Sequence, residues 1–344
     1  MLHHEMRSAM KSERVPRWPW ICASLAVGLA AVYWTLRHAG ASATWELIER
    51  ALPLLPWVIA LEGLRVATEL FAARELFAQL RSPVPLRALA RAQLAGYAVC
   101  NVLPVGRMAS EAAKASILRS HAGLPKTAAV ATIAQALHLV ASAVILVPCV
   151  VAARSSGASF GLSLAIAGQC ALLAAIGAAM LLVAHFVPLG SVMRQRLPRV
   201  GAALEQFRSA MRELPRFPAL ALVWLVVNRA LQVALIAVLL RAVGGTWSPG
   251  GALVAEAVLL IGASAGDVIP GQIGALEGAF GLFAAAIGTS APQAIAVALL
   301  IHLVQSLWTL AGFVAMASGG AGARRSSIAL PARALGPSPT QSTG

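Results

Sequence analysis

Charge is what this sequence lacks. Of its 344 residues only 12% are Asp, Glu, Lys or Arg, and only 13 are acidic. A water-soluble domain carries about 25% charged residues. Half of that is too little polar surface to solvate a chain of this size. The shortage excludes an ordinary soluble enzyme, and 59% apolar residues exclude a disordered chain. Cysteine is scarce as well. Cys22, Cys100, Cys149 and Cys170 all lie in apolar stretches, and no two form a C-x-x-C pair. They read as small buried hydrophobes, not as a disulfide framework or a zinc site. H-E-x-x-H, the P-loop and G-x-G-x-x-G are absent, and His3-His4 has no companion ligands. No metal or other cofactor is expected.

Apolar length is what the sequence has. A helix needs about 20 apolar residues to cross a bilayer. Six stretches qualify, roughly 18–36, 51–72, 127–153, 158–187, 217–241 and 292–318. Two more, roughly 88–118 and 252–288, are interrupted by Pro and Gly near their middles. The fold expected is an all-α polytopic membrane protein with six full spans and two broken, re-entrant helical hairpins. That makes about eight hydrophobic segments. No A-x-A-like cleavage site follows the first run, so it reads as a retained signal-anchor.

The net charge is nevertheless +14. Basic excess attracts nucleic acid or acidic membrane surfaces, and it also marks cytoplasmic loops. With a cytoplasmic N-terminus and both broken regions returning to their side of entry, 21 basic residues fall inside. Four are in the N-terminal tail, eight between Arg74 and Lys126, six between Arg194 and Arg216, and three in the C-terminal tail. Only Arg37, Arg50, Arg154 and Arg241 fall outside; Arg65 and Arg229 fall within spans. The charge is thus an orientation signal spread over loops, and no nucleic-acid partner is expected.

The expected layout is a cytoplasmic tail over 1–17, a single membrane domain over 18–318 and a disordered cytoplasmic tail over 319–344. Between the halves, Val200, Leu204, Phe207, Met211 and Leu214 recur at helical spacing. They predict a cytoplasmic amphipathic helix over 196–214, lying on anionic headgroups or packed on the protein.

The two broken regions resemble each other. Asn101-Val-Leu-Pro104 has Glu111 seven residues after its proline, and Asp267-Val-Ile-Pro270 has Glu277 seven after its own. The offset is 166, which Gly96 and Gly262 share. His138-Leu-Val and His302-Leu-Val follow at an offset of 164. In the proposed topology the two copies enter from opposite sides, so the chain reads as an inverted repeat. Repeat one covers about 18–153 and repeat two about 217–318. Proline and glycine free backbone groups that cannot face lipid, so each break implies a polar cavity. A half-helix beginning after the break points its amides at that cavity, which suits an anion.

The segment Asn101-Val-Leu-Pro104-Val-Gly106-Arg107-Met-Ala-Ser110-Glu111-Ala-Ala-Lys114 resembles the first motif of the lysylphosphatidylglycerol synthase transmembrane (flippase-like) family. Ile269-Pro270-Gly271-Gln272-Ile273-Gly274-Ala-Leu-Glu277 is similar to its P-G-G-x-G-x-x-E motif, with Gln272 in place of a usual glycine. Similarity runs over about 15–320. The resemblance implies an integral membrane protein that flips phospholipids or handles polyprenol-linked or hopanoid-type lipids. The soluble aminoacyl-transferase domain of the bifunctional members is not expected here.

Ionisable residues at bilayer depth are costly, and each is a candidate for function. Arg107, Glu111 and Lys114 share one helix face and suit a phosphate or amino headgroup. Glu277 could accept a proton or pair with Arg229, while Asp267 reads as a cap. Glu62, Arg65 and Glu69 read as mutually neutralising or as a cavity wall, and His138 and His302 as packing residues. The candidate substrate-binding set is Asn101, Pro104, Arg107, Glu111, Lys114, Arg229, Pro270, Gly271, Gly274 and Glu277. The expected function is flippase-like translocation or handling of an anionic lipid, in a bacterial cytoplasmic membrane with both termini cytoplasmic. A membrane-embedded transferase acting on a lipid-linked substrate, or a non-catalytic partner of lipid-synthesis enzymes, stays open. Topology is directly testable. A reporter fused after Arg154 or Arg241 should read as external and one fused at Arg199 as cytoplasmic; the reverse pattern removes the inverted arrangement.

Overall fold

The computed structural model describes residues 18–104, 106–186, 198–215, 217–245 and 248–328. Among them every regular element is helical. The chain opens with α1 (Trp18–Ala39) and α2 (Ala41–Ala51), then a 3-10 turn (Leu52–Leu54) leads into α3 (Leu55–Gln79). A first pair follows, α4 (Leu86–Val102) and α5 (Gly106–Ala122), and then α6 (Leu124–Ser155) and α7 (Phe160–Phe186). Next come α8 (Pro198–Glu213) and α9 (Ala219–Ala242). A second pair, α10 (Pro249–Ala265) and α11 (Ala275–Leu282), is followed by the short α12 (Ala284–Ile287) and the long α13 (Ala291–Ile328).

Among the described residues five helical segments are long and apolar enough to cross a membrane: 41–79, 124–155, 160–183, 219–242 and 291–318. They take in five of the six runs expected. The first run is α1, a 22-residue helix. Residues 1–17 and 329–344 of the two expected tails lie outside the described residues, and α13 continues through 319–328.

Both broken regions break at their prolines. A residue before proline is driven out of the helical region by clash with the proline ring. Leu103 is accordingly extended (φ −99°, ψ 142°), and Ile269 likewise (φ −99°, ψ 128°). Other prolines sit in first turns, where a missing N–H is no loss: Pro125 is the second residue of α6, and Pro249 begins α10, while Pro148 lies within α6. Ser248 caps α10 by accepting from the Gly251 amide at 2.9 Å.

Two apolar clusters hold the bundle. One gathers Val58, Leu146, Ile166, Ile236, Val258 and Phe280. The other gathers Leu76, Phe77, Leu89, Ile133, Leu137 and Leu225. Along α3 the polar residues Glu62, Arg65 and Glu69 lie between Val58 and Leu76. Along α9, Asn228, Arg229 and Gln232 lie between Leu225 and Leu235. The polar layer is thus sandwiched between two dry ones. The outside is apolar too: Trp34, Trp57, Val151, Phe160, Leu172, Leu310 and Val314 are exposed, as a lipid-facing surface requires.

The helix expected over 196–214 is α8. Of its apolar stripe, Phe207, Met211 and Leu214 pack into the second cluster against α6, so this part covers protein and not headgroups. Tight crossings set the remaining geometry. A Cβ on Gly312 of α13 would strike the Leu94 carbonyl and the Ala98 side chain of α4. Gly312→Ala must therefore push α4 off α13. We expect a stability loss of about 1–3 kcal/mol, the usual range for overpacking, read as a lower melting temperature in detergent.

Candidate functional site

The polar layer encloses a cavity of about 170 Å³, room for several waters. Six helices and one turn supply its polar wall. α3 brings Glu62, Arg65 and Glu69; α4 brings Gln93, Tyr97 and Asn101. From α5 come Arg107, Ser110, Glu111 and Lys114, from α6 Gln135 and His138, and from α9 Arg229 and Gln232. Gln272 reaches it from the second break and Gln305 from α13. A smaller space of about 30 Å³ adjoins Asn101 and Arg107 and is closed by Asp267, Gly271 and Gln272.

Local sequence explains the placement. On α3 the i, i+3, i+7 spacing of Glu62, Arg65 and Glu69 puts all three on one face. On α5 the spacing of Arg107, Glu111 and Lys114 does the same. Close approach of α4 to α5 depends on Gly96. A Cβ there would sit 2.8 Å from both Lys114 Cγ and Ser110 Oγ, so glycine leaves room for the lysine stem.

Most of the charges are already partnered. Arg65 Nη1 donates to Glu62 Oε2 at 2.5 Å, and the Tyr97 hydroxyl donates to Glu62 Oε1 at 2.7 Å. Gln93 Nε2 donates to Glu69, and Lys114 Nζ to Glu111 at 2.9 Å. Asn228 ties α9 to α3 by donating to the Arg65 carbonyl at 2.9 Å and to Thr68 Oγ1 at 3.1 Å. Arg107 makes no hydrogen bond or ion pair among the described residues. Exposure rises from 3% for the Glu62 side chain to 27% for that of Glu111. The cavity is deepest at α3 and opens beside α5.

Of the expected set, the structure brings Asn101, Arg107, Glu111, Lys114 and Arg229 together in the main cavity. Gly271 lines only the small annex. Pro104 and Pro270 shape the two breaks and line neither space. Gly274 and Glu277 lie apart. Gly274, at φ 87°, starts α11, and its amide donates to Glu277 Oε2 at 2.7 Å. The other carboxylate oxygen meets His302 Nδ1 at 2.8 Å, and Glu277 is 1% exposed. Glu277 therefore does not pair with Arg229. Arg229 instead faces Glu256, at 3.9 Å.

Sequence reasoning missed Gln93 and Tyr97. Tyr97 carried one usable signal, since the chain has only two tyrosines and this one sits in an apolar helix. The string Gly262-Ala-Ser264-Ala-Gly266 has the spelling G-x-S-x-G, but it ends a helix instead of forming a strand-turn-helix elbow. Ser264 donates to the Leu260 carbonyl at 2.9 Å within that helix. No group of three or more His, Cys, Asp or Glu side chains able to hold a metal occurs among the described residues.

Glu277→Ala should strand the Gly274 amide and His302 together. Leaving a buried partner unmet costs about 1–3 kcal/mol, so a lower melting temperature is expected, and unchanged stability would contradict the capping role.

A family model described as the lysylphosphatidylglycerol synthase TM region matches residues 21–313. No curated protein is similar enough to be matched.

Proposed function

The chain belongs to the lysylphosphatidylglycerol synthase TM-region family, and from that premise we propose that it moves or handles an anionic lipid across a bacterial cytoplasmic membrane. The headgroup enters the polar cavity while the acyl chains stay in the bilayer. The observation that carries this reading is an open, cation-rich cavity at the centre of an apolar bundle, with Arg107 unpaired at its edge. Arg107 and Lys114 meet the phosphate first, where exposure is greatest, and Arg229 lies deeper. Glu111 holds Lys114 in place between visits. The small volume favours a headgroup over a whole lipid, since pockets for drug-sized ligands run to about 300–1,000 Å³.

The inverted repeat belongs to the same reading, and the packing supports it. Exchange α3 with α9, α4 with α10, α5 with α11 and α6 with α13. The pattern of neighbours then maps onto itself. α3 packs on α9; α4 packs on α13 as α10 packs on α6; α5 packs on α6 as α11 packs on α13. The breaks match in backbone as well, with Leu103 and Ile269 both extended at the offset of 166. Gly96 of α4 faces Ser110 and Lys114 of α5, and its counterpart Gly262 of α10 faces Ala275 and Ala279 of α11. If α3, α6, α7 and α9 each cross once and both helix pairs re-enter, α9 runs opposite to α3. α13 and α1 complete six spans, and the termini are cytoplasmic.

Protein reconstituted in vesicles should speed movement of a labelled anionic lipid between leaflets. Arg107→Ala and Lys114→Ala should each slow it by about tenfold, equivalent to the 1.4 kcal/mol of one charge-assisted contact. Melting temperature should barely change, because neither residue supports the bundle core. Wild-type rates in both variants would remove the proposed site. A chemically modified lipid as product would favour the transferase reading.

A further inference from the structure

Glu256 is a buried acid that the reading above leaves without a task. It sits mid-way along α10 and is 0% exposed. Among the described residues neither of its carboxylate oxygens has a hydrogen-bond partner. Arg229 Nη1 approaches to 3.9 Å, too far for a hydrogen bond, and Arg229 Nε is itself buried and without a partner.

The elements around α10 bring little else that is charged. α9 contributes Arg229, and Arg65 of α3 acts from beyond it. α6 contributes the Cys149 thiol, which donates to the Ile145 carbonyl. α11 carries Glu277, which is turned to Gly274 and His302. α7 carries Cys170, whose thiol points to the Ala143 carbonyl. α12 has no ionisable residue.

A carboxylate in such a place is tolerated only against its counter-charge, because an uncompensated buried ion is heavily penalised. Arg229 therefore cannot turn fully to an anion in the cavity while Glu256 stays ionised. The charge inventory agrees. Four cations (Arg65, Arg107, Lys114, Arg229) and three carboxylates (Glu62, Glu69, Glu111) line the cavity. Counting His138 as neutral, the wall carries a surplus of one positive charge. Ionised Glu256 cancels that surplus from behind; a bound monoanion would cancel it from within.

We infer that Glu256 is a proton-binding site coupled to the anion site, so that a headgroup which takes Arg229 is accompanied by a proton on Glu256. The exchange is balanced. The Arg229–Glu256 ion pair parts, a phosphodiester oxygen accepts from the guanidinium, and one Glu256 oxygen takes a proton from the buffer acid in bulk solution, leaving its conjugate base there. No bond in the lipid forms or breaks. This rests on the reading of the cavity as an anion site, and it makes a proton the co-substrate.

Calorimetric titration tests it. Detergent-solubilised full-length protein is titrated with short-chain phosphatidylglycerol in buffers of different ionisation enthalpy. The phosphodiester stays ionised, so it contributes no proton of its own. Wild type should take up about one proton per lipid, with affinity falling up to about tenfold per pH unit as pH rises. Glu256→Gln should bind with no uptake and little pH dependence. Wild-type binding without proton uptake overturns the coupling and leaves the anion site standing, as does uptake that persists in Glu256→Gln. No binding by wild type at any pH overturns the anion site itself. If Glu256→Gln fails to fold, the wild-type uptake still decides.

Discussion

A charge cannot sit in an apolar medium alone, and nearly every polar detail of this bundle follows from that. Thirteen acids serve 344 residues, and those at bilayer depth are almost all engaged. Glu62 has Arg65 and Tyr97, Glu69 has Gln93, Glu111 has Lys114, and Glu277 has His302 and the start of its own helix. Tyr97–Glu62 and Gln93–Glu69 tie α4 to α3, and Glu277–His302 ties α11 to α13, more specifically than Leu and Val contacts can, because a hydrogen bond is directional. The same pairs concentrate the polar groups in one layer. The cavity forms in that layer, and the apolar clusters lie on either side of it.

The broken helices answer the companion constraint on the backbone. An amide freed by Pro104 or Pro270 has to meet protein or water. In both pairs the second helix folds back on the first, and small residues at the contact let it approach closely. Gly106 of α5 lies so near the Cys100 carbonyl that no side chain fits there. Compactness at the break and wetness beside it are two consequences of one interruption. That is why the cavity lies next to the breaks and not elsewhere along the spans.

Much of this was legible along the chain, and the limits have a physical origin. Apolar length and proline position depend on neighbours in sequence, so five of the six apolar runs overlap long apolar helical segments and both breaks fall at or near their prolines. The shared face of Arg107, Glu111 and Lys114 followed from helical spacing alone. What spacing cannot supply is which helix faces which. Glu62 through Glu69 could have neutralised one another in isolation; only the crossing of α3 with α4 gives them Tyr97 and Gln93. The role of Glu256 is hidden for the same reason, since it depends on Arg229 across a helix interface. The stripe of α8 satisfied two readings equally until its contact with α6 separated them.

Glu111 and Glu277 show how equal spacing leads to unequal roles. Each lies seven residues after a proline. In the first pair the helix resumes at Gly106, two residues after Pro104, so Glu111 is the sixth helical residue and is out of reach of the terminal amides. In the second the helix resumes only at Ala275, five residues after Pro270, with Gly271 and Gly274 at positive φ in the turn between. Glu277 then becomes the third residue of its helix, where a carboxylate satisfies a free amide, and it is drawn back onto Gly274. A three-residue delay in helix onset thus frees one carboxylate to face water and commits the other to structure. Of the two broken pairs, only the one whose second helix starts early lines the main cavity with charge.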